Sequence, residues 1–362
     1  MAEKEMCHLF YFPSLPCGAA NILKQDALSV GAELAVERGV PDCSTPTTRA
    51  VLIATTKQLK KLIQKEQLQP FGLKKVAQKL KSFLNLPTFP VQIMGVINAN
   101  HDSFYRFSRF EGERAVEAIE RLIEEGADII DIGGVSSRPG SRYPGEEEEL
   151  RRVKPILDQI YRRNLYEKVE FSLDTFSPRV LHYGLERGIK IANDITGGES
   201  REYLRLVARY GAKLVLMHKK GDPATMQLNP FYENVMVEVD RFFEERIAKA
   251  REEGVEEIIV DVGIGFGKRL EDNMALLHHL EHFRRFGYPL LVGASRKSLI
   301  GMAMEREGIS PASVEERLPG TIALHWEALQ NGASILRCHD VAAHRQMVAV
   351  WKSLHKTSLN FI

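Results

Sequence analysis

From residue 89 onward, the chain alternates short apolar segments with longer amphipathic segments, and this alternation occurs eight times. A short apolar run followed by a helical pattern is typical of the βα unit of a parallel sheet. Several helical segments end in a glycine just before the next apolar run, as at Gly126, Gly188, Gly211, Gly254 and Gly332. Because glycine adopts the left-handed conformation that ends a helix, the recurring glycine indicates one repeated unit.

The alternation predicts a (β/α)8 TIM barrel. Eight units in about 270 residues match the usual size of that fold. A doubly wound open sheet is the alternative, but it is expected to have a glycine-rich turn after its first strand, and residues 98–102 read Asn-Ala-Asn-His-Asp instead. The predicted strands are 91–96, 128–132, 170–173, 190–192, 213–217, 257–260, 289–292 and 334–336. The predicted helices are 112–125, 146–163, 178–187, 200–209, 229–253, 270–282, 314–330 and 341–354.

Residues 1–88 have a different pattern and predict a small N-terminal α/β extension of unknown role, beside a barrel domain formed by 89–362. Its predicted elements are a helix at 22–38, a strand at 50–54 and two basic helices at 57–68 and 73–84. The lysines of the two basic helices alternate with apolar residues at helical spacing. This spacing favours a solvated helix face over a polyanion-binding surface.

Composition excludes several classes of protein. The 362 residues carry a formal net charge of +1, which gives no reason to expect nucleic acid or a membrane as a partner. No apolar run is long enough to span a bilayer, and the N-terminus lacks a signal-peptide pattern, so we expect a cytoplasmic protein. The four cysteines form no CxxC motif, which argues against zinc and suits a reducing compartment.

Polar residues follow every predicted strand, where a βα barrel holds its functional groups. Asp174, Asn193 and Asp261 suit a neutral heterocycle that presents N–H donors. Arg337, His339 and Asn98 suit phosphate oxygens or a magnesium ion bound to phosphate, and Lys297 suits either role. The other strand-end residues are Asp102, Asp131, Ser136, Ser137, Arg138, Asp194, Met217, His218, Phe266, Ser295 and Arg296.

Ten short motifs occur over residues 89–362, and they are 93–98 (IMGVIN), 102–104 (DSF), 126–134, 136–140 (SSRPG), 173–175 (LDT), 193–194 (ND), 216–218 (LMH), 263–268 (GIGFGK), 295–297 (SRK) and 337–340 (RCHD). With these motifs in this order, the chain resembles the dihydropteroate synthase family. Residues 1–88 lie outside the resemblance. The resemblance implies a pterin-binding barrel that joins 6-hydroxymethyl-7,8-dihydropterin diphosphate to 4-aminobenzoate, releasing diphosphate, in folate synthesis.

The resemblance also implies roles for individual residues. The pterin ring would contact Asp174, Asn193, Asp261, Met217, Phe266 and Lys297. The diphosphate would contact Asn98, Arg337 and His339, with Mg²⁺ held through Asn98. The 4-aminobenzoate, which sulfonamides mimic, would contact Phe104, Ser137, Arg138, Pro139, Lys297 and Ser298. Lys297, Arg337, His339 and Asp102 would be catalytic, and a homodimer is expected.

Other interpretations stay open at this stage. Asp174, Asn193 and Asp261 are residue types that also cap helices. Asn100-His101 and Val135 depart from the family pattern, and these departures leave room for a pterin-binding protein without turnover. A methyltransferase that uses a methylated folate is a third candidate, although it needs no diphosphate site. The glycine-rich segment 263–268 fits neither common phosphate-loop spacing, so we reject a phosphate loop.

Overall fold

The computed structural model describes residues 7–99, 112–135, 141, 143–222 and 225–356. The chain divides into two compact units, Met1–Pro87 and Thr88–Ile362. Within the described residues, no helix is both long enough and apolar enough to cross a membrane.

The N-terminal unit is a three-stranded antiparallel sheet in the order β1-β3-β2, with three helices. Leu34 and Leu52 of the sheet are buried together with Leu23, Leu59 and Leu73 of the helices in one apolar core. Its elements are β1 (Cys7–Pro16), α1 (Cys17–Ser29), β2 (Glu33–Val36), β3 (Thr47–Thr55), α2 (Thr56–Glu66) and α3 (Leu73–Leu84).

The predicted helix at 22–38 was wrong in its second half, because α1 ends at Ser29 and Glu33–Val36 forms β2. Strand β1 was not predicted. The two basic helices occur as expected, with buried Leu59 and Leu62 on one face of α2.

Two cysteines of the N-terminal unit are joined, because Cys17 and Cys43 form a disulfide across 26 residues of sequence. Cys17 is buried at the start of α1 and Cys43 is exposed, and Asn21 contacts both sulfur atoms. The remaining cysteines, Cys7 and Cys338, are free thiols. This disulfide was not predicted from the sequence. The absence of a CxxC motif says nothing about cysteines that are distant in sequence and adjacent in the fold.

The second unit is a closed barrel of eight parallel strands, which confirms the predicted fold class. The strands follow one another around the barrel in the order β4 to β11, and β11 pairs with β4 to close it. The strands are β4 (Gln92–Asn98), β5 (Ile129–Gly133), β6 (Glu170–Asp174), β7 (Ile191–Asp194), β8 (Lys213–Met217), β9 (Ile258–Asp261), β10 (Leu290–Val292) and β11 (Ile335–Cys338). The α-helices of this unit are α4 (Gly112–Glu124), α5 (Glu146–Arg162), α6 (Pro178–Leu185), α7 (Arg201–Tyr210), α8 (Val235–Glu252), α9 (Leu270–His278), α10 (Ser298–Arg306), α11 (Leu318–Gln330) and α12 (Val341–Lys356).

Several helix boundaries differ from the predicted ones. Helix α8 begins at Val235, and not near 229, because the Asn234 side chain accepts hydrogen bonds from the first backbone N–H groups of the helix. The end of the predicted helix 270–282 lies in a 3-10 segment, Leu280–Phe286. The start of the predicted helix 314–330 lies in another, Glu315–Arg317. Helix α10 was not predicted.

The barrel interior begins with one layer of apolar side chains, formed by Met94, Ile129, Ile191, Val215, Ile259, Leu291 and Ile335. Successive strand residues point to opposite faces of a sheet, so residues two positions further along each strand point inward again. This periodicity brings Asp131, Asn193, Asp261 and Arg337 to the next interior layer. The apolar layer thus closes the barrel below a polar layer that lies toward the carboxyl ends of the strands.

Candidate active site at the carboxyl ends of the barrel strands

Three buried residues at strand ends form the acidic side of the site. Asp174 ends β6, Asn193 lies in β7 and Asp261 ends β9, and each is less than a tenth exposed. None of the three caps the helix that follows it, since the N-cap residues of α6, α7 and α9 are Ser177, Ser200 and Arg269. The helix-cap interpretation of the three residues was therefore wrong.

Arg337 extends from β11 across the barrel to two carboxylates. Its Nε donates to Asp131 Oδ2 at 2.7 Å, and its Nη2 donates to Asp174 Oδ2 at 3.0 Å. The arginine side chain keeps 24% of its surface exposed. Although burial opposes the charge, Asp131 and Asp174 raise the pKa of Arg337, which stays cationic.

Lys297 lies beside the glycine-rich loop that follows β9. Its Nζ donates to the carbonyl oxygen of Ile264 and lies 4.4 Å from the centre of the Phe266 ring. The loop itself is held by Lys268, which is 3% exposed and donates to the carbonyl oxygens of Gly263 and Phe266 at 2.9 and 3.1 Å. Lys268 therefore supports the loop from inside.

His339 contacts the segment that carries Lys297. Its Nδ1 lies 2.9 Å from Ser295 Oγ, and Ser295 Oγ accepts the backbone N–H of His339 at 3.3 Å. Burial and the neighbouring Arg337 lower the pKa of His339 to about 3, so the ring is neutral at pH 7 and keeps one N–H donor.

Asn98 provides an oxygen donor at the end of β4. Gly133, which pairs with Asn98 in the β4–β5 register, lies close to both Asn98 Oδ1 and Asp174 Oδ2, since a Cβ on it would be 3.8 Å from each. Among the described residues, no cluster of three or more histidine, cysteine or acidic side chains forms a metal cage. An amide oxygen beside a carboxylate fits Mg²⁺, which keeps most of its water and binds proteins together with substrate phosphates.

The buried charges shift one another's pKa values. Burial raises the pKa of Asp174 to about 7, with Arg337 opposing the rise and Asp131 adding to it. Burial also raises the pKa of Asp261, against the Gly263 N–H that donates to its Oδ1 at 2.8 Å and against nearby Lys297. Burial lowers the pKa of Lys297 to about 7, opposed by Asp261. Carboxylates and cations are thus held close together in one poorly solvated cleft, as in many functional sites.

Of the other predicted substrate contacts, the structure describes two. Met217 is buried and pairs with Asp261 in the β8–β9 register, whereas Ser298 is exposed at the start of α10. The remaining predicted residues lie outside the described part of the chain, and they are Asp102, Phe104, Ser137, Arg138 and Pro139.

Residues 94–339 match the sequence profile of a family described as "Pterin binding enzyme". The chain belongs to this family, among the dihydropteroate synthases. It is 44% identical over 99% of its length to the bifunctional dihydropteroate synthase/dihydropteroate reductase of Helicobacter pylori, covering 93% of that protein. It is 38% identical to the dihydropteroate synthase of Haemophilus influenzae, over 72% of this chain and 93% of that protein.

Solved structures of synthases have the same fold. A Yersinia pestis dihydropteroate synthase with a sulfonamide drug matches with a TM-score of 0.69 and 33% identity, covering 74% of this chain and 95% of that one. The Xanthomonas albilineans synthase in complex with 7,8-dihydropteroate matches with a TM-score of 0.63 and 35% identity, over 74% and 95% of the two chains. Dihydropteroate synthesis is a group transfer, so the protein is a transferase.

Sequence reasoning assigned no role to several residues that support the site. Asp131 holds Arg337 and also accepts from Asn193 Nδ2 at 3.2 Å. Lys268 holds the loop that carries Phe266. Arg296, next to Lys297, makes a two-pronged ion pair with Asp340 at 2.9 and 2.8 Å. The only sequence signal was that these residues follow strands, which does not show which residues bind substrate and which support those that do.

Proposed function

We propose that the barrel mouth catalyses dihydropteroate synthesis with the acidic side binding the pterin ring and the cationic side binding its diphosphate. The observation that carries this assignment is the position of Arg337. Its guanidinium reaches Asp174 at 3.0 Å, so a cation and an acidic ring-binding group are adjacent in one cleft. A substrate with a flat N–H donor edge and an attached diphosphate needs both groups side by side.

On the ring side, Asp261 accepts the paired N–H groups of the aminopyrimidinone, and Asp174 and Asn193 complete the hydrogen-bonding edge. Lys297 donates to the ring carbonyl and ring nitrogen, while Met217 and Phe266 lie against the ring. A buried carboxylate that faces two donors discriminates by about 10⁴-fold against analogues that lack them, because its oxygens are then left without partners.

On the diphosphate side, the bond between the pterin methylene carbon and the diphosphate oxygen breaks, and the electron pair leaves with the oxygen. Arg337 and His339 stabilise this growing negative charge. The amine nitrogen of 4-aminobenzoate then bonds to the methylene carbon and loses a proton. No protein nucleophile is needed, because the pterin ring supports positive charge on that carbon. Asn98 would hold Mg²⁺, which offsets phosphate charge when it is bound.

The aminobenzoate part of the site is assigned to Phe104, Ser137, Arg138, Pro139, Lys297 and Ser298. Asp102 precedes Phe104 in the same segment and is assigned to catalysis. Closure of these segments over the reacting carbon would exclude water, which otherwise captures the cationic carbon.

Turnover with purified protein tests the function. The protein is mixed with 6-hydroxymethyl-7,8-dihydropterin diphosphate, 4-aminobenzoate and Mg²⁺, and dihydropteroate is quantified by chromatography. We expect product to form in step with diphosphate release. Binding of the pterin diphosphate without turnover would instead support a pterin-binding protein, as Asn100, His101 and Val135 suggest.

Asp261→Asn tests the ring assignment. The amide keeps the size of the side chain but replaces one acceptor oxygen with a donor, so we expect pterin affinity to fall at least about 10²-fold by calorimetry. Asp272→Asn is the matched control, because Asp272 pairs with Arg269 at the start of α9. Unchanged pterin affinity in Asp261→Asn would remove this residue from the ring site.

A second activity is favoured by one comparison. The H. pylori relative that matches 99% of this chain, including the N-terminal unit, is named as a dihydropteroate reductase as well as a synthase. We infer that this chain also reduces dihydropteroate, which adds a hydride and a proton to one C=N bond of the pterin ring. The hydride donor must be supplied, so tetrahydropteroate formation is assayed with reduced nicotinamide and, separately, with reduced flavin. Failure with both donors would remove the second activity and leave the synthase assignment intact.

The assembly proposed for the synthase is a cytoplasmic homodimer that binds small molecules only. Size-exclusion chromatography with light scattering tests the homodimer, with a mass twice that of the chain as the expected result. Cell fractionation tests the location.

A further inference from the structure

The two carboxylates that hold Arg337 lie at different depths in the barrel. Asp131 is in the middle of β5, in register with Ser172, and is 0% exposed. Asp174 is two residues further toward the mouth, in register with Gly133, and its side chain is 11% exposed. A ligand that enters from the mouth therefore reaches Asp174 before it can approach Asp131.

The two bonds also use different parts of the guanidinium. Asp131 Oδ2 accepts from Nε at 2.7 Å, next to the stem of the side chain, while Asp174 Oδ2 accepts from the terminal Nη2 at 3.0 Å. The same oxygen of Asp131 also accepts from Asn193 Nδ2 at 3.2 Å. The inner bond thus fixes the position of the arginine, and the outer bond occupies the end of its fork.

We propose that Asp131 is a permanent anchor for Arg337 and that Asp174 is its exchangeable partner, so that a pterin ring binding to Asp174 frees the guanidinium fork for diphosphate. Asp131 is then a positioning residue of the synthase reaction. The proposal rests on the proposed function, because it assumes that the ring and the diphosphate occupy these two sides of the site.

The exchange follows from competition for the Asp174 carboxylate. A guanidinium has five N–H donors in a rigid plane, and a phosphate is best bound by two of them at once. In the structure, one terminal donor faces Asp174, whose negative charge also repels an incoming diphosphate. Ring N–H groups that hydrogen bond to Asp174 compete for that carboxylate and offset the repulsion. Ring binding and diphosphate binding must then favour each other, and by thermodynamic linkage the effect is reciprocal.

Calorimetry on the full-length protein measures this coupling. Inorganic diphosphate with Mg²⁺ is titrated into the protein alone and into the protein saturated with 6-hydroxymethylpterin, which has the ring and no diphosphate. We expect diphosphate to bind about 10-fold more tightly when the ring is present, within the usual range for coupled sites. Equal affinities in the two titrations would overturn the exchange, even if the protein makes dihydropteroate normally.

Asp131→Asn tests the anchor. The amide keeps the size of the side chain but loses the charge that orients the guanidinium, so we expect kcat to fall at least about 10-fold while ring affinity stays within about threefold. Ser172→Ala is the matched control. Ser172 is the buried register neighbour of Asp131, its hydroxyl has no hydrogen-bond partner among the described residues, and its removal should leave both quantities unchanged.

The remaining outcomes separate the alternatives. A ring affinity that falls as much as kcat would make Asp131 a pterin contact and overturn the anchor role. Wild-type kcat in Asp131→Asn would overturn it as well. If that variant does not fold, as judged by circular dichroism, the calorimetric coupling in the wild-type protein still tests the exchange. Absence of turnover in the wild-type protein would instead contradict the proposed function.

Discussion

The two cations of the site, Arg337 and Lys297, are held by different means. Arg337 is fixed by two carboxylates at 2.7 and 3.0 Å, whereas Lys297 contacts a backbone carbonyl oxygen and the face of an aromatic ring. Arginine offers a planar fork that suits phosphate oxygens, and lysine offers a compact charge that burial shifts easily. The two residues are therefore not interchangeable, and each should be needed for turnover.

Removal of either cation tests this requirement. We expect Lys297→Ala and Arg337→Ala each to lower kcat/KM at least about 10²-fold, the scale for loss of one preorganised electrostatic group. Steady-state kinetics with the pterin diphosphate as varied substrate measures the loss. Lys213→Ala is the matched control, because this barrel lysine pairs with Glu170 at 2.7 Å at the amino-terminal ends of the strands. Near-normal rates in both site variants would contradict the assigned roles.

Two shifted pKa values predict the pH dependence of kcat/KM. Burial raises the pKa of Asp174 to about 7, and its ionised form accepts ring N–H groups, so kcat/KM should fall as the pH decreases below about 7. Burial lowers the pKa of Lys297 to about 7, and its charged form contacts the ring, so kcat/KM should fall as the pH increases above about 7. We expect a bell-shaped profile with a maximum near pH 7.

Lys297→Arg assigns the alkaline limb of that profile. Arginine stays charged, so the decrease at high pH should move to a higher pH while the acid limb stays in place. Because Asp174 and Lys297 interact, the two apparent pKa values belong to the coupled site. An alkaline limb that does not move would assign that limb to another group.

Two helices and two strand ends are joined by a chain of buried histidines. The backbone N–H of Ala294, after β10, donates to His325 Nε2 on α11 at 3.0 Å, and His325 Nδ1 lies 2.7 Å from His344 Nε2 on α12. His344 Nδ1 lies 2.7 Å from the carbonyl oxygen of Asp340, after β11. Each ring therefore accepts on Nε2 and donates from Nδ1, which requires both histidines to be neutral.

The two linked histidines, His325 and His344, predict a loss of stability in acid. Burial lowers the pKa of both His325 and His344 below the ordinary value of 6.5, so the unfolded protein binds more protons than the folded one. Their contribution to the free energy of unfolding is then fully present above pH 6.5. It decreases as the pH falls, by about 1.4 kcal/mol per pH unit for each ring that stays neutral in the folded protein. We expect the urea midpoint, followed by fluorescence, to fall between pH 7.5 and 5.5.

Variants distinguish the effect of these two histidines on stability from that of other groups that titrate in acid. His344→Asn should be less stable than the wild-type protein at pH 7.5 and should lose less stability on acidification, since one titrating ring has been removed. His278→Asn is the control, because His278 is 71% exposed and pairs at the surface with Glu327. The same pH dependence in all three proteins would contradict the assignment.

The strands and helices that were predicted correctly are those that can be recognised from their own residues alone. The eight barrel strands are buried on both faces and appear as continuous apolar runs, so all eight were found within a few residues. Strand β1 was missed because Pro13 and Pro16 lie in it, and proline argues against a central strand. The sheet order shows β1 at an edge, with an irregularity between Phe12 and Leu15, where proline is tolerated.

The same distinction applies to the site. Strand-end residues such as Asp174, Asp261 and Arg337 were predicted, because strand alternation and the barrel rule fix where they point. The pairing of Arg337 was not predicted, since its two partners lie 206 and 163 residues away in sequence. Closure of the barrel brings β11 next to β4 and across from β5 and β6, and no local pattern contains that information.

At the scale of the whole molecule, the N-terminal unit and the barrel have separate apolar cores. The Cys17–Cys43 disulfide closes a loop of 26 residues within the N-terminal unit alone. A crosslink of this length stabilises a fold by about 3 kcal/mol, mainly by restricting the unfolded chain. Its removal should therefore destabilise the N-terminal unit and leave the barrel unaffected.

The positions of the tryptophans make this prediction measurable. Both tryptophans of the chain, Trp326 and Trp351, lie in the barrel, so fluorescence reports on barrel unfolding. In Cys17→Ala/Cys43→Ala we expect an unchanged fluorescence midpoint in urea, together with faster amide hydrogen exchange in peptides from β3 and α2. Cys7→Ala is the control, because it removes a free thiol and leaves the disulfide in place. The disulfide lies in the N-terminal unit alone. If the fluorescence midpoint fell together with amide protection in β3 and α2, the two cores would unfold as one cooperative body, contrary to this prediction.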